Sequence, residues 1–448
     1  MDNKQGNLPN KWLIRLLYLL IILFIDAPYS NQSGWNLQYY LFSIIMVMIV
    51  IKKLIEGVNL KYINIVFLIP SLLVIASLLL KIFFIKSTSS SDYDTVIKYS
   101  SFLILFCVTT ILIGNYSKEQ ILVVIRGFVY IMIISLCYVS LVGIIQYFSP
   151  NLFYSFFSIY KVELTDYIAS YETNFSYSYG MERMNSIFLT PIVFGGFLTL
   201  AIILVKQIKP NNGSHSIIRK IALVSGMIAL FLTNARSAII ALIIILFVEY
   251  TFKRNKKLII PIFISLLGYF ILPYLLDLLQ LTSENVVRFT EVLNYILHGF
   301  QFYYFPPNLV SRLNDIEYIW SNFSSSHFLF TGINHAYYLA KFANSALSYN
   351  NQYFAWIVNF GLLGVLMSIW SIFFPIFLYK HSKIAIDRNA KILLKTLAYI
   401  FIAEIIMAIT QENIFARRWR EFIFVFMALT WVYYKKSQEI YTIPLKFN

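Results

Sequence analysis

The feature that most constrains this chain is a succession of apolar segments, several of them long enough to form a helix that crosses a bilayer and several of them shorter. Such a helix needs about 20 mainly apolar residues. Only 13% of the residues are charged, whereas soluble domains carry about 25%. We therefore predict an all-α polytopic membrane protein, with a single integral membrane domain over residues 1–448 and about twelve transmembrane helices. The predicted spans are Trp12–Ile25, Tyr39–Ile51, Tyr62–Ile85, Tyr99–Ile113, Ile121–Phe148, Ser186–Val205, Ile217–Leu232, Ala238–Phe252, Leu258–Leu276, Tyr353–Leu378, Ile392–Ile409 and Ala416–Tyr434.

Lysine and arginine are concentrated in loops that twelve spans would place on the same side of the membrane as the N-terminus. Cytoplasmic loops of membrane proteins carry an excess of these residues. Both termini are therefore predicted to be cytoplasmic, and the net charge of +15 needs no nucleic-acid partner. The basic loops contain Lys52, Lys53 and Lys61; Lys206, Lys209, Arg219 and Lys220; Lys253, Arg254, Lys256 and Lys257; Lys380, Lys383, Arg388 and Lys391; and, after the last span, Lys435 and Lys436.

Two segments on the opposite, external side are much longer than a helix connection requires. They are residues 149–185 and residues 277–350. Loops of more than about 15 residues are usually functional or disordered. The second segment is rich in aromatic and aliphatic residues, and those between Leu309 and Phe323 recur at helical spacing, which predicts an amphipathic helix on the membrane face. Two interpretations stay open at this point, a structural cap over the bundle and a lid over a substrate site.

Several arginines fall outside the basic loops, at or beyond the external membrane edge. The guanidinium group is a planar fork of donors that binds phosphate in a bidentate manner and stays charged. One alternative is pairing with lipid headgroups or with Glu182, Glu412 and Glu421. The number of arginines favours a site for a pyrophosphate that is attached to a lipid. These arginines are Arg183, Arg236, Arg288, Arg312, Arg417, Arg418 and Arg420.

The sequence contains no pattern that is typical of a metal or cofactor site. Cys107 and Cys137 lie in apolar runs and give no ligand spacing, and the five histidines form no cluster. The external loops contain no aspartate-rich motif such as DxD. We therefore predict a protein without a metal ion and without a cofactor.

Four stretches between Arg183 and Gly364 resemble the O-antigen polymerase and O-antigen ligase superfamily, in the order that the family has them. "RMNSIFLTPIVFGGFLTLAI" resembles its "R…G.F..P...A..L" stretch, and "LTNARSAIIALIIIL" resembles its "LT.SR.A.LAL.I" helix start. "SRLNDIEYIWSNFSSSHFLFTGIN" resembles the external "R...W..A...F..HPL.G.G" stretch, and "NNQYFAWIVNFGLLG" resembles the "HN.YL..L.E.G..G" helix. The spans before Arg183 match the family only in number.

The resemblance implies a membrane glycosyltransferase with a GT-C-like architecture in a bacterial inner (plasma) membrane. Its substrates would be undecaprenyl-pyrophosphate-linked oligosaccharides held among membrane lipid, and a chain-length regulator is a further partner that it suggests. From the external position and the chemistry of these side chains, we predict Arg236, Arg312 and Glu412 as catalytic residues, with residues 277–350 over the active site. The predicted pyrophosphate or glycan contacts are Arg183, Arg288, Arg417, Arg418, Arg420, Asn350, Asn351 and His335.

One departure from the family pattern separates polymerase from ligase. The ligases resemble H-[N/S/Q]-x9-G-x-x-G with a catalytic histidine, and counting back from Gly361 and Gly364 places Asn350 at that position. Asparagine is not a proton acceptor of the same kind, so a Wzy-type polymerase is favoured over a WaaL-type ligase. A flippase for the same lipid-linked units and a membrane acyltransferase are the remaining alternatives. Glu404 falls inside a predicted span and is left out of the predicted site.

Overall fold

The computed structural model describes residues 11–26, 37–57, 59–85, 90–149, 152, 186, 188, 191–209, 213–233, 235–253, 351–409 and 420–442. These residues are mainly helical and contain no strand, which confirms the predicted all-α class for this part of the chain. Its α-helices are α1 (Lys11–Asp26), α2 (Leu37–Glu56), α3 (Ile69–Leu80), α4 (Ser90–Ile113), α5 (Lys118–Phe148), α6 (Pro191–Gln207), α7 (Gly213–Leu232), α8 (Arg236–Lys253), α9 (Gln352–Phe360), α10 (Leu362–Ile384), α11 (Arg388–Ala408) and α12 (Arg420–Thr442). The predicted span 258–276 and the external segment 277–350 lie outside the described residues, as does nearly all of the segment 149–185.

Local sequence determines where several of these helices begin. The Ser117 side chain accepts a hydrogen bond from the backbone of Gln120, whose side chain accepts one from the backbone of Ser117. This capping box satisfies two N–H groups at the start of α5. At the start of α11, the Asp387 carboxylate accepts a hydrogen bond from the backbone N–H of Ala390 at 2.9 Å.

The predicted span Tyr62–Ile85 is only partly an α-helix. Asn64 caps a 3₁₀ turn over Ile65–Phe67, and the α-helix begins at Ile69 with Pro70 in its first turn. Proline suits this position because it lacks an N–H donor. A π-helical turn over Lys81–Ile85 then ends the element.

The predicted span Tyr353–Leu378 is wrong, because the chain bends sharply at Gly361. Gly361 has φ of 58° and ψ of −132°, which an L side chain rarely adopts. A Cβ atom on Gly364 would come within 2.0 Å of the Trp356 carbonyl oxygen, so α10 turns back against α9. The membrane-length helix is therefore Leu362–Ile384, and Gln352–Phe360 is a separate short helix.

Four of the described helical stretches are long and apolar enough to cross a membrane, and they lie in α4, α5, α7 and α10. Large apolar side chains are exposed on these helices, including Ile134 on α5, Val224 on α7 and Phe373 on α10. Soluble proteins rarely expose apolar surface so continuously. The helices therefore have the surface of a protein that could sit in a bilayer, while the count of twelve spans stays a prediction.

One end of the bundle, here called the ion-paired end, carries described lysines from several of the basic loops. Lys118 at the start of α5 pairs with Asp387 before α11 at 2.6 Å, and Lys206 at the end of α6 pairs with Glu249 near the end of α8. Lys61, between α2 and α3, pairs with a carboxylate near the end of α12 at 2.6 Å. Basic residues from several predicted cytoplasmic loops thus share one end, and the assignment of that end to the cytoplasm stays a prediction.

The opposite end, here called the arginine end, carries the starts of α6, α8 and α9. The Gln146 side chain near the end of α5 accepts a hydrogen bond from the backbone of Ser186 at 2.6 Å. The Asn351 side chain before α9 donates to the Ile409 carbonyl oxygen after α11 at 3.0 Å. Arg236 begins α8 at this same end, beside the first turns of α6.

Candidate functional site

Arg236 is held at the arginine end by a tight turn between α7 and α8. The Thr233 hydroxyl donates to the Leu230 carbonyl oxygen at 2.7 Å and accepts from the backbone N–H of Ala235 at 3.1 Å. Thr233 and Ala235 are both buried. This turn therefore fixes the backbone from which the Arg236 side chain extends.

Helix α6 approaches the same turn closely, because Gly195 has no side chain. A Cβ atom on Gly195 would lie 2.4 Å from the Ala235 Cβ and 3.2 Å from the Thr233 hydroxyl oxygen. One turn further along α6, the Thr199 hydroxyl donates to the Ala238 carbonyl oxygen at 3.0 Å. Gly195 is thus a packing requirement of the turn that carries Arg236.

The surroundings of Arg236 are electrostatically suited to binding an anion. Its side chain is half-buried, and it has no carboxylate partner among the residues that the structure describes. The helix dipole also makes this end of α8 positive. A guanidinium group placed beside a helix N-terminus is an arrangement that binds phosphate groups.

Asn351 also lies at the arginine end, but its side chain has a structural role. Its oxygen accepts a hydrogen bond from the backbone N–H of Phe354 at 3.0 Å and caps α9. Its nitrogen donates to the Ile409 carbonyl oxygen. Both halves of the amide are therefore occupied, and Asn351 joins the start of α9 to the end of α11.

Glu404 on α11 is the functional candidate that the sequence analysis left out. It lies about 7.5 Å along the helix axis from Ile409 and is only 2% exposed. Neither of its carboxylate oxygens has a hydrogen-bond partner within the described part of the chain. A charged residue inside an apolar span is a functional candidate by default, so the signal was present in the sequence.

A second buried carboxylate at this end has the opposite character. Asp92, at the start of α4, is completely buried and forms an ion pair with Lys81 at 2.7 Å. This pair closes the connection from α3 to α4. Asp92 is therefore already neutralised, whereas Glu404 has no described cation beside it.

The structure brings together only some of the residues that the sequence analysis selected. Arg236 and Asn351 lie at one end of the bundle, where the backbone of Arg420 also begins α12. The other selected residues lie outside the described part of the chain, and their roles stay predictions. They are Arg183, Arg288, Arg312, His335, Asn350, Glu412, Arg417 and Arg418.

Comparison with known proteins adds no family assignment to this geometry. No protein-family model matches the chain, and no curated protein matches it significantly. Among the described residues, no group of three or more histidine, cysteine, aspartate or glutamate side chains is placed to hold a metal ion. The function is therefore inferred from the placement of Arg236 and Glu404 at the arginine end of the bundle.

Proposed function

We propose that the protein is a Wzy-type polymerase, a GT-C-like membrane glycosyltransferase that joins undecaprenyl-pyrophosphate-linked oligosaccharide repeat units. The products would be O-antigen, capsule or exopolysaccharide, made at the outer face of a bacterial inner (plasma) membrane. The observation that carries the proposal is Arg236, which begins α8 at the arginine end of the bundle, opposite the ion-paired end. The order of the four family-like sequence stretches supports the same conclusion.

The proposed reaction requires positive charge at the arginine end to stabilise the pyrophosphate leaving group. A sugar hydroxyl oxygen forms a bond to the anomeric carbon of the donor glycan, and the bond from that carbon to the pyrophosphate oxygen breaks. Undecaprenyl pyrophosphate leaves with the bonding electrons. A fixed guanidinium and a helix N-terminus stabilise the charge that develops on this leaving group without reorganisation during the reaction.

The attacking hydroxyl also loses a proton, which requires an acceptor. Glu404 is a buried carboxylate at the correct end of the bundle, and it has no described cation or hydrogen-bond donor. Glu412, which the sequence analysis selected, is the other carboxylate that the proposal considers. A general base typically contributes about 100- to 10,000-fold to a reaction rate. Replacement of the true base by glutamine should therefore lower the polymerisation rate by a factor that is easily measured.

The experiment that tests the proposal uses purified full-length protein with lipid-linked repeat units alone, in the presence of a chelator. We expect a ladder of longer glycans and release of undecaprenyl pyrophosphate, read by gel electrophoresis and phosphate analysis. Absence of a ladder from folded protein would contradict the polymerase. A ladder that forms only after a divalent cation is restored would contradict the predicted independence from metal.

A deletion strain separates the alternatives. Loss of the polymerase should leave single repeat units on the lipid carrier, and one unit should still reach lipid A-core where a strain has it. Long lipid-linked chains with no attached glycan would instead indicate a ligase. Loss of all lipid-linked units from the outer leaflet would indicate a flippase.

A further inference from the structure

An open cavity of about 470 Å³ lies at the ion-paired end, far from Arg236. Three helix ends form it, namely the start of α5, the end of α6 and the start of α11. Each contributes one cation to the lining, Arg126 from α5, Lys209 just after α6 and Arg388 from α11. The cavity therefore gathers positive charge from three parts of the chain that are distant in sequence.

Among the residues that the structure describes, no acidic side chain lines this cavity to balance the three cations. The nearby carboxylate of Asp387 is bound by Lys118 at 2.6 Å and by the Tyr433 hydroxyl at 3.2 Å. The Glu249 carboxylate is bound by Lys206. Like charges that share a cavity repel one another, so an anion that contacts all three would be bound in preference to a neutral group.

The rest of the cavity wall is largely apolar. Ile125 and Leu393 are buried, and Ile208 is half-buried beside Lys209. A free, hydrated anion gains nothing from such a wall. A ligand with a charged head and an apolar body would use both parts, because the body buries surface while the head meets the cations.

We propose that this cavity binds the phosphate group of an anionic phospholipid from the leaflet at the ion-paired end. Basic pockets between membrane helices are a known form of lipid recognition. Inorganic phosphate shares the headgroup chemistry, but it leaves the apolar wall unused. The site is separate from the arginine end, and the proposal holds whether or not the protein is a polymerase.

The test measures lipid binding to purified full-length protein by native mass spectrometry and by thermal stabilisation in detergent. The probes are phosphatidylglycerol, phosphatidylcholine and inorganic phosphate. The variant combines Arg126→Gln, Lys209→Gln and Arg388→Gln. Its matched control combines Lys220→Gln, Lys380→Gln and Lys391→Gln, which removes the same charge from exposed residues of the same end that do not line the cavity.

We expect phosphatidylglycerol to bind the wild type and the control at least about tenfold more tightly than the cavity variant. This tenfold difference in affinity corresponds to about 1.4 kcal/mol of binding free energy. Phosphatidylcholine should bind all three proteins equally weakly. Equal phosphatidylglycerol binding by the wild type and the cavity variant would overturn the site, as would an equal loss in the control. Stabilisation by inorganic phosphate but not by phosphatidylglycerol would overturn the lipid as occupant. The elution volume and the lipid-free melting temperature establish that both variants are folded, and the single variant Arg126→Gln repeats the comparison if the triple variant is not.

Discussion

Ionisable side chains within the apolar helices fall into two groups, and the difference decides which ones are candidates for chemistry. Lys81 and Asp92 pair with each other, as do Lys206 and Glu249. Breaking such a pair leaves a buried charge, which costs about 3–5 kcal/mol, so these residues are explained by structure alone. Glu404 has no such partner among the described residues, and that group therefore needs a functional explanation.

The first prediction compares two substitutions of Arg236, one that removes its charge and one that keeps the charge but loses the geometry of the guanidinium group. Arg236→Ala should lower polymerisation by about 100- to 1000-fold, the loss that follows removal of one group that stabilises an oxyanion. Arg236→Lys should also be impaired, because a point charge does not replace the bidentate fork. The repeat-unit ladder measures both. Arg15→Ala, which removes an exposed arginine from α1, is the control, and normal ladders from Arg236→Ala would refute the assignment.

For Glu404, stability and activity are predicted to respond differently. Glu404→Gln keeps the shape and removes a buried group that is costly to ionise, so the melting temperature should be unchanged or higher. If Glu404 takes up the hydroxyl proton, polymerisation should fall by at least about 100-fold. Glu119→Gln, at an exposed carboxylate of α5, should change neither quantity. A less stable but fully active Glu404→Gln protein would show that the carboxylate is structural.

Among the helices, those with strong local signals were predicted well and those shaped by contacts were not. α5 was predicted to start at Ile121 and starts at Lys118, because the capping box at Ser117 adds one turn. The bend at Gly361 was missed, since its reason is the approach of α10 to the Trp356 carbonyl, a contact that the apolar pattern does not contain. The cavity between α5, α6 and α11 was missed for the same reason.

The bend between α9 and α10 should not tolerate a side chain. Gly364→Ala would place a Cβ atom 2.0 Å from the Trp356 carbonyl oxygen, and relief of such overlap costs about 1–3 kcal/mol. We expect a lower melting temperature in detergent. Gly226→Ala is the control, because its Cβ would meet only the tip of the Leu136 side chain at 3.0 Å and other side-chain atoms further away. An equal loss in both variants would contradict the special role of the bend.

The contact of α5, α11 and α12 at Asp387 predicts a dependence of stability on pH. Burial raises the pKa of the Asp387 carboxyl, but hydrogen bonds from Lys118 and the backbone of Ala390 outweigh it and hold the pKa below its usual value. The stabilisation is therefore complete above the unfolded pKa of about 3.9 and is lost as the pH falls through the lower folded value. Asp387→Asn should be less stable than the wild type at pH 7, and the melting temperatures of the two proteins should converge as the pH falls through the lowered pKa of the folded wild type. A difference that stays constant with pH would exclude the carboxylate as its cause.

For the whole molecule, the distribution of charge between the two ends predicts the orientation in the membrane. The residue pattern placed the basic loops on one side, and the described helices bring Lys61, Lys118 and Lys206 to one end. By contrast, the arrangement of the long external segment could not be derived from the sequence, because its spacing indicates a helix but not what the helix packs against. The predicted orientation therefore rests on which helix ends lie together in the described part of the chain.

Cysteine labelling tests this orientation. In a protein whose Cys107 and Cys137 are replaced by alanine, a membrane-impermeant maleimide should label Ser324→Cys in intact spheroplasts. Lys391→Cys, at the ion-paired end, should react only after the membrane is opened. Labelling in the reverse order would overturn the predicted topology.

The short helix α9 has a consequence for the order in which the protein is assembled. Nine residues span about 13.5 Å, less than half of a hydrocarbon core of about 30 Å, so the insertion machinery has too little apolar length to recognise α9 as a segment of its own. α10, with 23 residues, is long enough to enter the bilayer alone. We therefore expect α9 to pack onto a bundle that is already inserted, since its anchor at Ile409 follows α11 in the chain. On this view, the arginine end is completed late in biogenesis, after most of the chain has left the ribosome.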